Sequence, residues 1–177
     1  KMPTPRMQLA VDSWLLAVEL GALRINEVCR LRHDMRVENA FRWIEGKVPK
    51  PRYHPINSRA QAIIDKYAGG ENVLLLVPDG LGGDAFYRAI ETATASNNRA
   101  LKAACELLGL PRIKTHNARH TGAQRIKQAT DIHTARRILG HSKVSQTEEY
   151  LDELDTSIID DGFDEMDIEW ARWGNKN

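Results

Sequence analysis

From Ala40 to Ile56 the residues are spaced as in strands, while the segments on either side are spaced and punctuated as in helices. Phe41, Trp43 and Ile44 lead into the loop Gly46-Lys47-Val48-Pro49-Lys50-Pro51, and Tyr53, Pro55 and Ile56 follow it. This is the pattern of two short strands joined by a basic loop. Proline has no N–H to give a ladder and is confined here to the loop or an edge. One such hairpin among helices restricts the fold to mainly α with a small β-sheet, an α+β arrangement.

Around the hairpin, apolar positions Leu15, Leu16, Val18, Leu20, Val28 and Leu31 predict one or two amphipathic helices between Leu9 and Leu31, broken near Gly21, with Arg24 in the break. Asn57 or Ser58 can cap a helix over Arg59 to Tyr67, stopped by Gly69 and Gly70. Val73 to Val77, ending at Pro78-Asp79-Gly80, fits a buried strand or a core-facing loop. Asp84 to Leu108 is helical, with an interruption expected at Ser96-Asn97-Asn98 and an end at Gly109 and Pro111. His116 to Gln128 follows as a further helix, and Asp131 caps another, Ile132 to Leu139, closed by Gly140. Ser145 with Glu148 three residues on predicts a capped helix that carries Tyr150 on its second turn.

A chain of 177 residues is the size of one domain and can bury a full core. No apolar run nears the roughly 18 residues that span a bilayer, and Lys1-Met2-Pro3-Thr4-Pro5-Arg6 lacks the features of a secretory signal, so a cytoplasmic protein without a membrane partner is expected. Cys29 and Cys105 sit in apolar helical surroundings and are expected to be buried thiols. The formal charge of +1 hides an asymmetry: residues 151–177 hold nine of the 24 acidic side chains and two of the 25 basic ones. A basic body of that kind suits a polyanion. The acidic segment also holds Ile158, Ile159, Phe163, Met166, Ile168, Trp170 and Trp173, too many large apolar groups for a solvated tail, and is expected to dock on its own body or on a neighbouring copy.

Four boxes then recur in a recognisable order. They are Leu20-Gly21-Ala22-Leu23-Arg24-Ile25-Asn26-Glu27, the hairpin from Gly46 to Ile56, His116-Asn117-Ala118-Arg119, and Leu139-Gly140-His141 with Tyr150 nine residues after the histidine. Together, from about Leu16 to Leu151, they resemble the catalytic domain of the tyrosine recombinase (phage integrase) family. The resemblance implies that Arg24, Lys47, His116, Arg119, His141 and the nucleophile Tyr150 are catalytic, with Glu27 supporting. Lys47 rather than Lys50 aligns with the family's lysine. Lys50, Arg52 and Lys143 are expected to contact DNA. Ala22 stands where the family usually has glycine. The implied division is a catalytic domain over 1–156, a tail over 157–177, and an upstream DNA-clamping domain absent from this chain.

The residue types suit the chemistry. Two guanidiniums, always charged and forked, match the paired oxygens of a phosphodiester whose charge grows during in-line attack. The resemblance assigns Lys47 as the acid for the departing 5′-hydroxyl, and two arginines beside it would lower its proton affinity. His116 and His141 would bond the phosphate or accept the tyrosine proton. No cofactor and no metal is expected; His116 and His120 are four apart, as zinc ligands on a helix can be, but no third ligand accompanies them at a convincing spacing. Implied partners are double-stranded DNA and a tetramer of protomers, with the isolated domain expected to be monomeric, in the nucleoid of a bacterial or phage-infected cell. The alternatives are DNA relaxation of the type IB topoisomerase kind and a non-catalytic DNA-binding module.

Overall fold

The computed structural model of the chain describes residues 3–44, 51–141 and 143–152. Lys47, Lys50 and the 157–177 segment lie outside the described residues.

Helix α1 spans Pro5–Glu19, four residues before the expected start, because Thr4 accepts a hydrogen bond from the Met7 N–H and Pro5 occupies the first turn. Its partner, α2, is the single turn Ile25–Val28. Between them the chain reverses through Gly21 at φ +89° and Ala22 at φ +66°. The stretch expected as one helix or two is therefore two, and Arg24 is the residue that starts the second.

The sheet is an antiparallel meander in the order β1–β2–β3, with β1 at Arg36–Val37, β2 at Ala40–Ile44 and β3 at Pro51–Pro55. The hairpin is as anticipated, whereas β1, two exposed residues with no periodicity to read, is an addition. Phe41 pairs with His54, both fully buried, so one face of the ribbon is turned to the core. His54 donates from Nδ1 to the Leu20 carbonyl at 2.7 Å and thereby ties β3 to the end of α1.

Asn57 caps α3, Ser58–Lys66. Val73 to Val77 is loop rather than strand. Val73, Leu74, Leu76 and Val77 are buried, and the Asp79 carboxylate accepts from the Glu71 and Asn72 N–H groups, giving the segment a local fold of its own. Helix α4, Gly83–Leu108, runs 26 residues without the expected interruption. The asparagines that weaken a helix have tertiary partners here: Arg6 donates to Asn97 and Asn97 to Ser13, while Asn98 accepts the Thr115 N–H.

Helices α5, Thr115–Ala129, and α6, Ile132–Leu139, match their predicted limits closely. Asp131 accepts from the His133 and Thr134 N–H groups, and Gly140 turns the chain at φ +74°. The last described helix, α7, is Val144–Asp152. Ser145 lies inside it rather than at its cap. Instead the Gln146 side chain accepts from the Lys143 N–H at 3.3 Å, and Tyr150 still falls on the second turn.

Helix α1 is the central element, buried from Ala10 to Val18 and packed by α3, α4 and α5. A second, smaller apolar cluster joins Ala22, Ala123, Ala135, Leu139 and Leu151, with Tyr150 at its edge. Full burial of a leucine such as Leu151 contributes about 1.5–3 kcal/mol, which anchors α7 against α5 and α6. Gly122 makes this packing possible: a Cβ there would lie 2.8 Å from the Ala22 Cα. Cys29 and Cys105 are free, buried thiols.

Candidate active site

Arg24, Glu27, His116, Arg119, His120, His141 and Tyr150 come from four places in the fold: the α1–α2 turn, the first turns of α5, the α6–α7 junction and α7. Arg119 is the hub and is 2% exposed. It donates to the Ala22 carbonyl at 2.9 Å and to the Leu139 carbonyl at 3.2 Å, and its Nη2 stands 3.4 Å from His141 Nε2. Burial lowers its proton affinity, and Arg24 adds to the effect.

A guanidinium can only donate, so Nε2 of His141 is the accepting nitrogen and its proton resides on Nδ1. From there it donates to the buried Thr147 hydroxyl at 3.1 Å. His141 is thus held in one neutral tautomer. Burial lowers its pKa, followed by the charges of Arg119, Arg24 and Arg52.

Arg24 begins α2, with 46% of its side chain exposed. Glu27 accepts the Arg24 N–H at 2.5 Å, and its other oxygen lies 3.6 Å from the Arg24 guanidinium. The same carboxylate oxygen takes Arg52 at 3.5 Å. One buried carboxylate therefore sets the positions of two arginines. Arg52 leaves only 11% of its side chain exposed and donates to the Ile138 carbonyl at 2.8 Å. That inward geometry makes it a brace between β3 and α6.

The Tyr150 hydroxyl lies 3.1 Å from Nδ1 of His120, and the two rings stack at 5.6 Å with a 28° tilt. His141 meets the Tyr150 ring edge-on at 5.6 Å, and the Arg119 guanidinium sits 5.7 Å from the ring centroid. Burial raises the Tyr150 pKa, while Arg119 and Arg24 pull it back. His116 is exposed and meets His120 edge-on at 4.4 Å. Partial withdrawal of its ring from solvent lowers its pKa, followed by the charges of Arg119 and Arg24. Lys143 is exposed at the start of α7.

His120 has no catalytic role that the sequence predicts. Its one signal was the four-residue spacing from His116, which suggests zinc as readily as anything else. Among the described residues no group of three His, Cys, Asp or Glu side chains is gathered as a metal site.

Beside Arg24 opens a cleft of about 1070 Å³, lined by Arg24, Arg30, Arg32, Arg42, Phe86 and Tyr87 among others. The Arg30 guanidinium lies 4.9 Å from the Phe86 ring and 5.2 Å from that of Tyr87. Glu27 and Glu71 line the same cleft, and Arg32 is paired with Asp34 and Glu71, so four arginines against two glutamates leave its lining with a net positive charge, the sign that draws a phosphate backbone.

Solved structures similar to this chain include the XerA recombinase, at a TM-score of 0.59 and 18% identity over 87% of this chain and 60% of that one. A lambda integrase dimer bound to a COC′ core site gives 0.58 and 20%, over 85% and 43%. The Tn1549 transposon integrase in complex with transposon right end DNA gives 0.56 and 20%, over 91% and 57%. The chain thus shares the fold of the matched parts of these proteins and spans about 43–60% of their length. A search of curated proteins returns no match. None of the helices among the described residues is long and apolar enough to cross a membrane. The family model described as Phage integrase family matches residues 8–157, nearly the whole of the described structure, and so the chain belongs to the phage integrase family.

Proposed function

We propose that this chain is the catalytic domain of a site-specific DNA recombinase, which cuts one strand through a 3′-phosphotyrosine on Tyr150 and rejoins it, to integrate or excise a mobile element. The observation that carries this reading is the convergence on one spot of Tyr150, Arg119, Arg24 and His141, drawn from segments up to 126 residues apart. A tyrosine among surface charges by chance would not be enclosed by two arginines and two histidines.

At neutral pH roughly one phenol in a thousand is ionised, equivalent to about 4 kcal/mol against the nucleophile. Burial of Tyr150 adds to that deficit, and the arginines offset it. Arg24, exposed at the cleft, receives the scissile phosphate. Arg119, fixed by two carbonyls, presents its remaining N–H groups to the charge that develops on the same phosphate. His141 holds one side of the Arg119 fork, and His116 faces the entry. Lys47 serves as the acid for the leaving 5′-oxygen, and Lys50 and Lys143 add phosphate contacts at the rim.

The working assembly is a tetramer of protomers on two duplexes, acting where the host DNA lies. Incubation with a nicked suicide substrate tests the function: a covalent adduct is expected from the unmodified chain and none from Tyr150→Phe. An adduct that survives Tyr150→Phe refutes the assignment, and relaxation of plasmids without site preference replaces it with topoisomerase activity.

A further inference from the structure

Nucleophile activation needs a group that can accept the phenolic proton, and the three histidines near Tyr150 are not equivalent. Both ring nitrogens of His141 are committed, Nδ1 to Thr147 and Nε2 to Arg119. His116 makes its ring contact with His120. His120 has Nδ1 at 3.1 Å from the Tyr150 hydroxyl, within the range of a proton-transferring hydrogen bond, and stacks on the same ring.

We propose that His120 is the catalytic base for Tyr150, an assignment that rests on the recombinase reading above. As the phenolic oxygen bonds to phosphorus, its proton passes to the Nδ1 lone pair of His120, which becomes an imidazolium. The bond from phosphorus to the 5′-oxygen breaks, and that oxygen takes a proton from an ammonium acid. In rejoining, the 5′-hydroxyl attacks and gives its proton back to the amine, the phosphotyrosine bond breaks, and the His120 imidazolium returns its proton to Tyr150.

The surroundings suit this role. The groups facing His120 and its tyrosine are His116 and Arg119 on α5, Tyr150 on α7, His141 at the α6–α7 junction and Arg24 at the start of α2. Burial, then His116 and Arg119, lowers its proton affinity, which keeps it neutral and able to accept before DNA arrives. A bound phosphate brings negative charge close by and raises that affinity when the proton must move.

Single-turnover adduct formation on the suicide substrate, followed across neutral to alkaline pH, tests this. The unmodified chain should reach a plateau above the histidine titration. His120→Asn, which offers a polar partner but no proton acceptor, should fall on the order of 10²-fold near neutrality and keep climbing toward the phenol range near about 10. Binding of the same duplex should be unchanged, and imidazole in solution should restore part of the rate of His120→Ala. On a substrate whose 5′-bridging oxygen is replaced by sulfur, which leaves without a proton, the His120→Asn deficit should persist. A His120→Asn rate and pH profile equal to those of the unmodified chain overturns the role, as does a deficit that disappears on the sulfur-bridged substrate. Nitrogen NMR of the intact chain gives a check that needs no His120 variant: a proton on Nε2 is expected, and one fixed on Nδ1 overturns the proposal. An adduct formed by Tyr150→Phe instead refutes the recombinase reading, whatever His120 does.

Discussion

The Arg119 guanidinium hangs from the carbonyl oxygen of Ala22 at 2.9 Å, although the two residues are 97 positions apart in the chain. Two residues beyond Ala22 stands Arg24, so the backbone that anchors one arginine also presents the other. Glu27 fixes the far side of the same turn by accepting the Arg24 N–H. The two arginines are therefore held by one mechanical unit, and changes to its backbone should affect both.

Gly122 is the first place to test that unit. A methyl group there would stand 2.8 Å from the Ala22 Cα and 2.9 Å from its N, backbone atoms that cannot swing aside. Gly122→Ala should destabilise the fold by about 1–3 kcal/mol, read as a lower melting temperature, with a larger loss of adduct formation as both arginines are displaced. Ala22→Gly in the same chain should rescue little, because the Cα and N clashes remain; full recovery would show that the Ala22 methyl is the true obstacle.

Arg119→Lys should abolish a geometry that charge alone cannot replace. One ammonium cannot span the Ala22 and Leu139 carbonyls and His141 together. Adduct formation is expected to fall on the order of 10²–10³-fold. Thermal melting should show a loss of about 1–3 kcal/mol as buried carbonyls lose their donor. Near-normal cleavage by the lysine variant would mean that the phosphate site needs only positive charge.

Glu27→Gln keeps an oxygen for the Arg24 N–H and removes the negative charge shared by Arg24 and Arg52. The guanidiniums then lose the charge they share, and Arg52 loosens β3 from α6. Adduct formation should fall at least tenfold while DNA binding holds or rises, since net positive charge at the cleft increases. Gel shift and adduct assays on one preparation separate the two effects; parallel losses in both would place Glu27 in DNA binding instead.

How far these contacts were legible in the sequence depends on how local their causes are. The ends of α6 were readable because Asp131 and Gly140 act within a turn of themselves. The continuity of α4 was not, because Asn97 is accommodated by Ser13 and Arg6, 84 and 91 residues away. Strand β1, exposed and two residues long, carries no pattern at all. In the site, order and spacing identified Arg24, Arg119, His141 and Tyr150 as a set, but Arg52 looked like one more basic residue until its partners were visible. His120 was invisible for the same reason, since its partner lies 30 positions on and in another helix.

Acid should loosen the site before it unfolds the protein as a whole. His116, His120 and His141 all have pKa values lowered from the usual 6.5, chiefly by burial, with Arg119 contributing at each. A base whose folded pKa lies below its unfolded value binds more protons when unfolded, so stability rises with pH across that interval. Their contribution is complete above about pH 6.5 and is lost as pH falls through the lowered folded values. Melting temperature should therefore decline on that side of neutrality, and replacing His120 and His141 by asparagine should flatten the decline. A bound duplex should reduce it too, because the phosphate favours the protonated rings. An acid profile unaffected by both substitutions and by DNA would assign the loss to a carboxylate whose pKa the fold lowers, such as Asp131, which accepts from the Thr134 hydroxyl and from the Thr134 and His133 N–H groups.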